Sequence, residues 1–109
     1  PQRFGRAAAW DAPIMMDKPG GYGSGPIFGG EENFKHYQVT RLVEQADRSF
    51  KRQARLILTG YFANFRENHV TLHELMKEQG VLHQYRDGPK RTHDWHSGWL
   101  AEALDLMFE

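Results

Sequence analysis

A chain of 109 residues has room for one domain, and its 14 basic and 14 acidic residues give a formal net charge of zero. This balance excludes a global electrostatic field that would attract nucleic acid or an anionic membrane surface. The absence of cysteine excludes disulfides and thiolate metal sites, and no apolar run approaches the roughly 20 residues of a membrane span.

The N-terminal part of the chain is rich in helix-breaking residues. Residues 1–30 hold seven of the eleven glycines and four of the five prolines. Relative to Ala, Gly costs about 1 kcal/mol and Pro about 3 kcal/mol inside a helix. We therefore predict an extended, irregular arm over residues 1–30, followed by a helical domain over residues 31–109. Flexible linkers lack aromatic anchors, so the arm is expected to lie along a surface, either that of its own helices or that of a partner. The residues expected to bind a partner are Trp10, Tyr22 and Phe28.

Helical periodicity dominates the middle of the chain. Apolar residues recur at steps of three and four from Val39 to Phe65. This spacing predicts one long helix, or two nearly continuous helices, over residues 33–68. From residue 56 onward the apolar residues surround the axis, which indicates burial on more than one side. Phe62 is therefore counted among the partner-binding residues.

Two shorter helices are predicted to follow. Thr71 and Glu74 have the spacing of a capping box, and Gly80 is suited to end the helix, which predicts a helix over residues 72–79. Asp87-Gly88-Pro89 predicts a turn. A last helix is expected from Asp94 or Ser97 to Met107. The fold class predicted from these elements is mainly α, a small helical domain with an irregular N-terminal arm.

Charged residues are unevenly distributed along the predicted helices. Four bases at positions i, i+3, i+4 and i+7 share one helix face, which could hold phosphates or an acidic protein surface; they are Arg48, Lys51, Arg52 and Arg55. Residues 92–109 carry four acids and no Lys or Arg, whereas residues 31–91 carry eleven bases and eight acids. The acidic end of the chain could therefore lie on its basic middle.

The histidines and glycines give no complete metal or cofactor motif. His69 and His73 are four residues apart and His93 and His96 are three apart, but a zinc site needs a further ligand. The Thr71 cap would also place His69 outside the helix that carries His73. The glycine run at residues 21–25 lacks the Lys-Ser/Thr of a phosphate loop. We therefore predict no metal and no cofactor.

Catalytic and DNA-binding motifs are equally incomplete. The chain has no cysteine nucleophile and no G-x-S-x-G elbow, and its serines are Ser24, Ser49 and Ser97. These features predict a protein that is not an enzyme, although a site assembled in space stays open. Residues 71–81 are typical of the first helix and turn of a helix-turn-helix, but the turn at residues 87–89 would stop its second helix.

The function predicted from these features is that of a non-catalytic accessory subunit in a larger intracellular assembly. Its partners would be other protein subunits, bound through the arm, the basic face and the apolar segment at residues 56–65. An organellar respiratory complex, a ribosome-like particle and a viral particle are all suitable hosts, and a mitochondrial location is favoured. The alternative is a small nucleic-acid-binding regulator that uses the basic helix face.

Overall fold

The computed structural model describes residues 4–62 and 65–109, and in these ranges the chain has a mixed α/β fold. A parallel three-stranded sheet has the order β1-β2-β3, with β1 at Ala7–Ala9, β2 at Leu56–Tyr61 and β3 at His83–Lys90. The α-helices of the described residues are α1 (Gly25–Phe28), α2 (Glu31–Lys35), α3 (Val39–Glu44), α4 (Arg48–Arg52), α5 (Arg66–Glu78) and α6 (Trp99–Phe108), and a short 3₁₀ helix lies at Gly21–Gly23. The prediction of a mainly α fold is therefore wrong, and so is the turn predicted at residues 87–89, because these residues belong to β3.

The long helix predicted over residues 33–68 is replaced by three short helices and a strand. The apolar run from residue 56 forms β2, which is hydrogen-bonded to β1 on one side and to β3 on the other. Residues 57–60 of this strand are all buried. A central parallel strand is covered on both faces, so it lacks the alternation that marks a half-exposed strand. Its sequence therefore resembles a helix that is apolar on all sides.

The N-terminal arm is not irregular throughout. Ala7–Ala9 forms β1, in which Ala8 is paired with Ile57. The Ala7 N–H donates to the Arg55 carbonyl oxygen at 2.9 Å, which anchors the start of the strand. The predicted arm is wrong in this part, because a run of small alanines fits beside a buried central strand. The domain boundary at residue 30 stays a prediction.

Helix α5 begins earlier than the capping box at Thr71 predicts. It starts at Arg66, so Thr71 lies inside the helix and caps nothing. The Arg66 guanidinium bonds the Asp87 carboxylate of β3 at 2.5 and 2.9 Å, which fixes the first turn from outside. The end of the helix is as predicted: Gly80 has a φ of 70°, and the Val81 N–H donates to the Met76 carbonyl oxygen at 2.9 Å.

The core lies between β2 and the helices on its two faces. Leu58 packs in one buried cluster with side chains of α3, α5 and the following turn, namely Val43, Leu72, Met76 and Val81. The next residue of the strand, Thr59, hydrogen-bonds to Glu102 of α6. Successive side chains of a strand point to opposite faces. Helices α5 and α6 therefore cover opposite faces of the sheet.

Helix α6 begins slightly later than the predicted start at Asp94 or Ser97. It buries Trp99, Ala103 and Leu106 against the sheet, and Trp95 lies outside it. The residues between β3 and α6 form a loop instead, and this loop carries His93. None of the helices that the structure describes is long and apolar enough to cross a lipid bilayer.

Candidate active site

The carboxyl ends of the strands meet at one edge of the sheet, and the candidate site lies there. In open parallel sheets, ligands bind outside this edge. After β1 the chain continues into Trp10 and Asp11, and the Asp11 N–H donates to the Gly60 carbonyl oxygen at 3.0 Å. After β3, the Arg91 N–H donates to the Tyr61 carbonyl oxygen at 2.9 Å. These bonds tie the segments that follow β1 and β3 to the end of β2.

Asp11 is a buried carboxylate whose side chain is only 1% exposed. Its φ of 43° lies in the left-handed region, which Asp adopts more readily than most residues. Oδ1 accepts a hydrogen bond from the Phe62 N–H at 2.7 Å, and Oδ2 bonds to Nδ1 of His93. A buried carboxylate is stable only with such partners. Asp11 is therefore held between the loops that follow β2 and β3.

His93 combines a buried partner with an accessible ring. Its side chain is 64% exposed, and Nδ1 hydrogen-bonds to Asp11 Oδ2. An ionised carboxylate can only accept a hydrogen bond, so Nδ1 carries the proton and the neutral imidazole carries its lone pair at Nε2. Within residues 4–62 and 65–109, no hydrogen bond to Nε2 is present. Asp11 therefore orients a basic nitrogen that remains available to another molecule.

A pocket of about 240 Å³ lies beside His93. It is lined by His93, Asp94 and three indole rings, those of Trp10, Trp95 and Trp99. The Trp10 and Trp95 rings meet edge to face, with centroids 6.4 Å apart and planes at 86°. The His93 ring likewise stands at 72° to Trp99, with centroids 6.2 Å apart. A molecule bound in the pocket would lie against these indole rings and the imidazole.

A second buried carboxylate holds the loop that carries His93. Glu102 of α6 accepts hydrogen bonds from Thr59 Oγ1 at 3.1 Å, Arg86 Nη1 at 2.7 Å and Arg91 Nη2 at 3.2 Å. Burial alone would raise the pKa of Glu102, but these bonds outweigh it and lower that pKa below its ordinary value. The Arg91 guanidinium also donates to the Ser97 carbonyl oxygen at 3.0 Å. The predicted contact between the acidic end and the basic middle is confirmed here.

Helix α5 fixes the segment that follows Asp11. The Ala12 N–H donates to Nε2 of His69 at 3.2 Å, and the Met15 N–H donates to Oδ1 of Asn68 at 2.9 Å. Burial lowers the pKa of His69. The ring therefore stays neutral around pH 7 and keeps the lone pair that accepts from Ala12.

A carboxylate bound to Nδ1 of an exposed histidine is a recurrent catalytic arrangement. It orients the general base in hydrolases of several unrelated folds and stabilises the imidazolium that forms. Comparison with protein-family models, curated proteins and solved structures found no significant match. The role of the Asp11–His93 pair therefore has to be argued from its geometry.

The four apolar residues predicted to bind partners are spread over the molecule. Trp10 borders the pocket beside His93. Tyr22 is exposed and meets the Phe65 ring edge to face at 5.5 Å, whereas Phe28 packs on the rings of Phe34 and Tyr37. Phe62 is exposed directly after β2. Of these, Trp10 lies at the pocket and Phe62 touches the site only through its N–H bond to Asp11; their role in partner binding stays a prediction.

The basic face does not exist as four residues of one helix. Three of its members lie exposed in α4, and these are Arg48, Lys51 and Arg52. The helix ends at Arg52 because Gln53 is extended. Arg55 lies beyond it and donates to the carbonyl oxygens of Phe4 at 2.6 Å and Gly5 at 2.8 Å. The fourth base therefore holds the chain before β1, and the predicted four-residue face is wrong.

The histidine pairs also differ from the sequence interpretation. His69 and His73 both lie in α5, so the prediction that Thr71 separates them is wrong. His73 Nδ1 lies 2.8 Å from His83 Nε2, and the His73 ring stacks on Tyr85 with centroids 4.0 Å apart. In the described part of the chain, no group of three or more His, Asp or Glu side chains is arranged to hold a metal ion.

From the sequence, His93 was a candidate only as a metal ligand, and Asp11 was not a candidate for any role. The two residues are 82 positions apart, so no local spacing links them. The available signal was an acidic residue two positions after an apolar triplet, since Ala7–Ala9 is followed by Trp10 and then Asp11. Had that triplet been recognised as a parallel strand, Asp11 would have been expected at its carboxyl end.

Proposed function

We propose that Asp11 and His93 form the general acid–base pair of a site that hydrolyses esters or related activated carbonyl compounds. The observation that carries this proposal is the hydrogen bond from His93 Nδ1 to the buried Asp11 carboxylate, which leaves Nε2 available at the edge of a pocket. Parallel-sheet proteins place their ligands at this edge. The pair is recognised by its geometry and not by its sequence position.

The proposed chemistry follows from the two nitrogens of the ring. His93 Nε2 takes a proton from the nucleophile as the nucleophile's oxygen attacks the carbonyl carbon. Asp11 stabilises the imidazolium, which then gives the proton to the leaving alcohol oxygen. No hydroxyl group of the described residues hydrogen-bonds to Nε2. The nucleophile is therefore water in the simplest form of this proposal, or a hydroxyl group brought by another segment or chain.

The test is the hydrolysis of p-nitrophenyl acetate by the unaltered chain and by two histidine variants. We expect His93→Ala to lower kcat/KM by about 100-fold or more, the usual contribution of a positioned acid–base group. His96→Ala is the matched control, because His96 is exposed in the same loop and has no Asp11 contact. Equal loss of activity in both variants, or a rate no higher than that of free imidazole, would contradict the proposal.

A second proposal retains the predicted accessory subunit. It is supported by an apolar stripe on the outer face of α6, where Leu100, Leu104 and Phe108 recur every four residues and are exposed. Strand β1 lies at the edge of the sheet that the structure describes, and it carries none of the charged or proline residues that block edge pairing. Exposed apolar stripes of this kind are typical of interaction surfaces.

This second proposal predicts association in solution. We expect the isolated chain to form concentration-dependent oligomers in size-exclusion chromatography with light scattering, and Leu104→Lys to weaken them. Lys77→Ala, on the exposed surface of α5, is the control. A cooperatively melting monomer at all concentrations would contradict the accessory role. The nucleic-acid alternative and the organellar location stay predictions.

A further inference from the structure

The pocket beside His93 is lined by three tryptophans that differ in burial. Trp99 is buried in the core and Trp10 is half-buried, whereas Trp95 is 77% exposed. Burial of apolar area explains why a tryptophan occupies position 99. It does not explain Trp95, whose side chain is largely exposed in the loop after β3. The Trp95 ring meets the Trp10 ring edge to face and lines the pocket together with His93.

The pocket has one acidic lining residue in the part of the chain that the structure describes. Asp94 lines it, and its carboxylate accepts hydrogen bonds from Thr92 Oγ1 at 2.6 Å and the His96 N–H at 2.8 Å. The Thr92 hydroxyl, followed by the His96 N–H, lowers the pKa of Asp94, so the group is ionised around pH 7. Among residues 4–62 and 65–109, no Lys or Arg lines the pocket, and the nearby Arg91 is bound to Glu102 and the Ser97 carbonyl oxygen.

Indole rings and a carboxylate select a particular kind of ligand. The face of an aromatic ring is electronegative and attracts a cation, most strongly when the ring is that of Trp. Inorganic cations retain their water and prefer oxygen ligands. An alkylated ammonium group is weakly hydrated and has an apolar surface, so it gains from the rings and the carboxylate together. The pocket volume of about 240 Å³ suits a head group and not a drug-sized ligand.

We propose that Trp10, Trp95 and Trp99, with Asp94, form a cage for a quaternary or alkylated ammonium group. Because this cage adjoins His93, the substrate would be an ester that carries such a group, as in choline esters. This assignment of a substrate class rests on the proposed hydrolytic function, whereas binding of the cation itself does not. The cage would hold the charged end while the carbonyl carbon lies near Nε2.

The binding test compares choline with its neutral isostere, in which carbon replaces the quaternary nitrogen. Each ligand is titrated into the unaltered chain, and binding is measured by calorimetry and by tryptophan fluorescence. We expect choline to bind about tenfold more tightly than the isostere, the gain that a cation makes on a partly desolvated aromatic surface. Equal affinity for the two ligands would overturn the proposal.

Three variants locate the binding site. Trp95→Ala is expected to weaken choline binding by about tenfold and Trp95→Phe by less, because Phe keeps an aromatic face. Asp94→Asn is expected to weaken it about threefold. Its Oδ1 can still accept the His96 N–H, while its NH₂ group can donate to the Thr92 hydroxyl, which also accepts. Tyr22→Ala is the matched control, since Tyr22 is 75% exposed and does not line the pocket. Unchanged choline affinity in Trp95→Ala would overturn the cage.

The same experiments separate this inference from the hydrolytic proposal. Selective choline binding without hydrolysis of any ester would support the cage and contradict the proposed chemistry. Hydrolysis of acetylcholine and of its neutral isosteric ester with equal kcat/KM would support the chemistry and contradict the cage. A preference for acetylcholine that is lost in Trp95→Ala would support both.

Discussion

Asp11→Asn is expected to lower kcat/KM for ester hydrolysis by about 10²–10⁴-fold without unfolding the chain. The amide of Asn can still accept the Phe62 N–H through Oδ1, as Asp11 does now. Its NH₂ group would then face His93 Nδ1, so the proton of the neutral ring would move to Nε2. A protonated Nε2 cannot take a proton from the nucleophile. The activity would be lost although the structure is retained.

The measurement for this variant is kcat/KM together with the melting temperature. Asn tolerates the left-handed φ of 43° found at this position, so backbone strain should not unfold the variant. Asp17→Asn is the matched control, because Asp17 is an exposed acid of the same N-terminal segment. If Asp11→Asn kept the kcat/KM of the control, Asp11 would have no part in catalysis.

Gly60→Ala is expected to destabilise the fold by about 3–5 kcal/mol. Gly60 has a φ of 75°, and a Cβ added there would lie 2.5 Å from both Cδ1 and Nε1 of Trp99. The substitution therefore adds backbone strain and forces the buried indole to move. Because Trp99 also lines the pocket beside His93, any folded variant should bind pocket ligands less tightly.

Gly80→Ala separates the two causes of this loss. Gly80 has a similar φ of 70°, but apart from its two chain neighbours no described residue has a heavy atom within 4 Å of the position that its Cβ would occupy. We expect Gly80→Ala to cost about 1–2 kcal/mol, the strain of a left-handed residue alone. Chemical denaturation of both variants gives the comparison. Equal free energies of unfolding would show that Trp99 does not pack against Gly60 as described.

Parts of the fold that depend on neighbouring residues in sequence could be predicted. The end of α5 at Gly80 follows from one left-handed glycine and a hydrogen bond back to Met76. Helix α6 was expected from the spacing of its apolar residues, and its Glu102 meets the basic middle of the chain as the charge distribution suggested. Each of these signals lies within a few residues or in the overall charge pattern.

The sheet could not be predicted in the same way. Strand β2 has no alternating pattern because both its faces are covered, and its leucines and isoleucine also fit a helix. Strand β1 consists of three alanines, which are good helix formers and are held in a strand by pairing with residues 56–58. Tertiary contacts over about fifty positions therefore override the local preference in both cases.

The candidate site depends on that missed sheet. Asp11 and His93 meet only because β1 and β3 run parallel on either side of β2 and end at the same edge. Without the strands, His93 is one of several loop histidines and Asp11 is one acid in a Gly/Pro-rich segment. The pair is therefore visible only in three dimensions.

The protonation of the two His93 ring nitrogens tests the central claim most directly. Nitrogen-15 NMR of the neutral ring distinguishes a nitrogen that carries a proton from one that carries a lone pair. We predict that the neutral ring carries its proton on Nδ1 in the unaltered chain and on Nε2 in Asp11→Asn. In the unaltered chain, the hydrogen bond to Asp11 should deshield the ¹H resonance of the Nδ1 proton. A proton on Nε2 in the unaltered chain, or the same tautomer in both proteins, would contradict the Asp11–His93 pair and the function proposed for it.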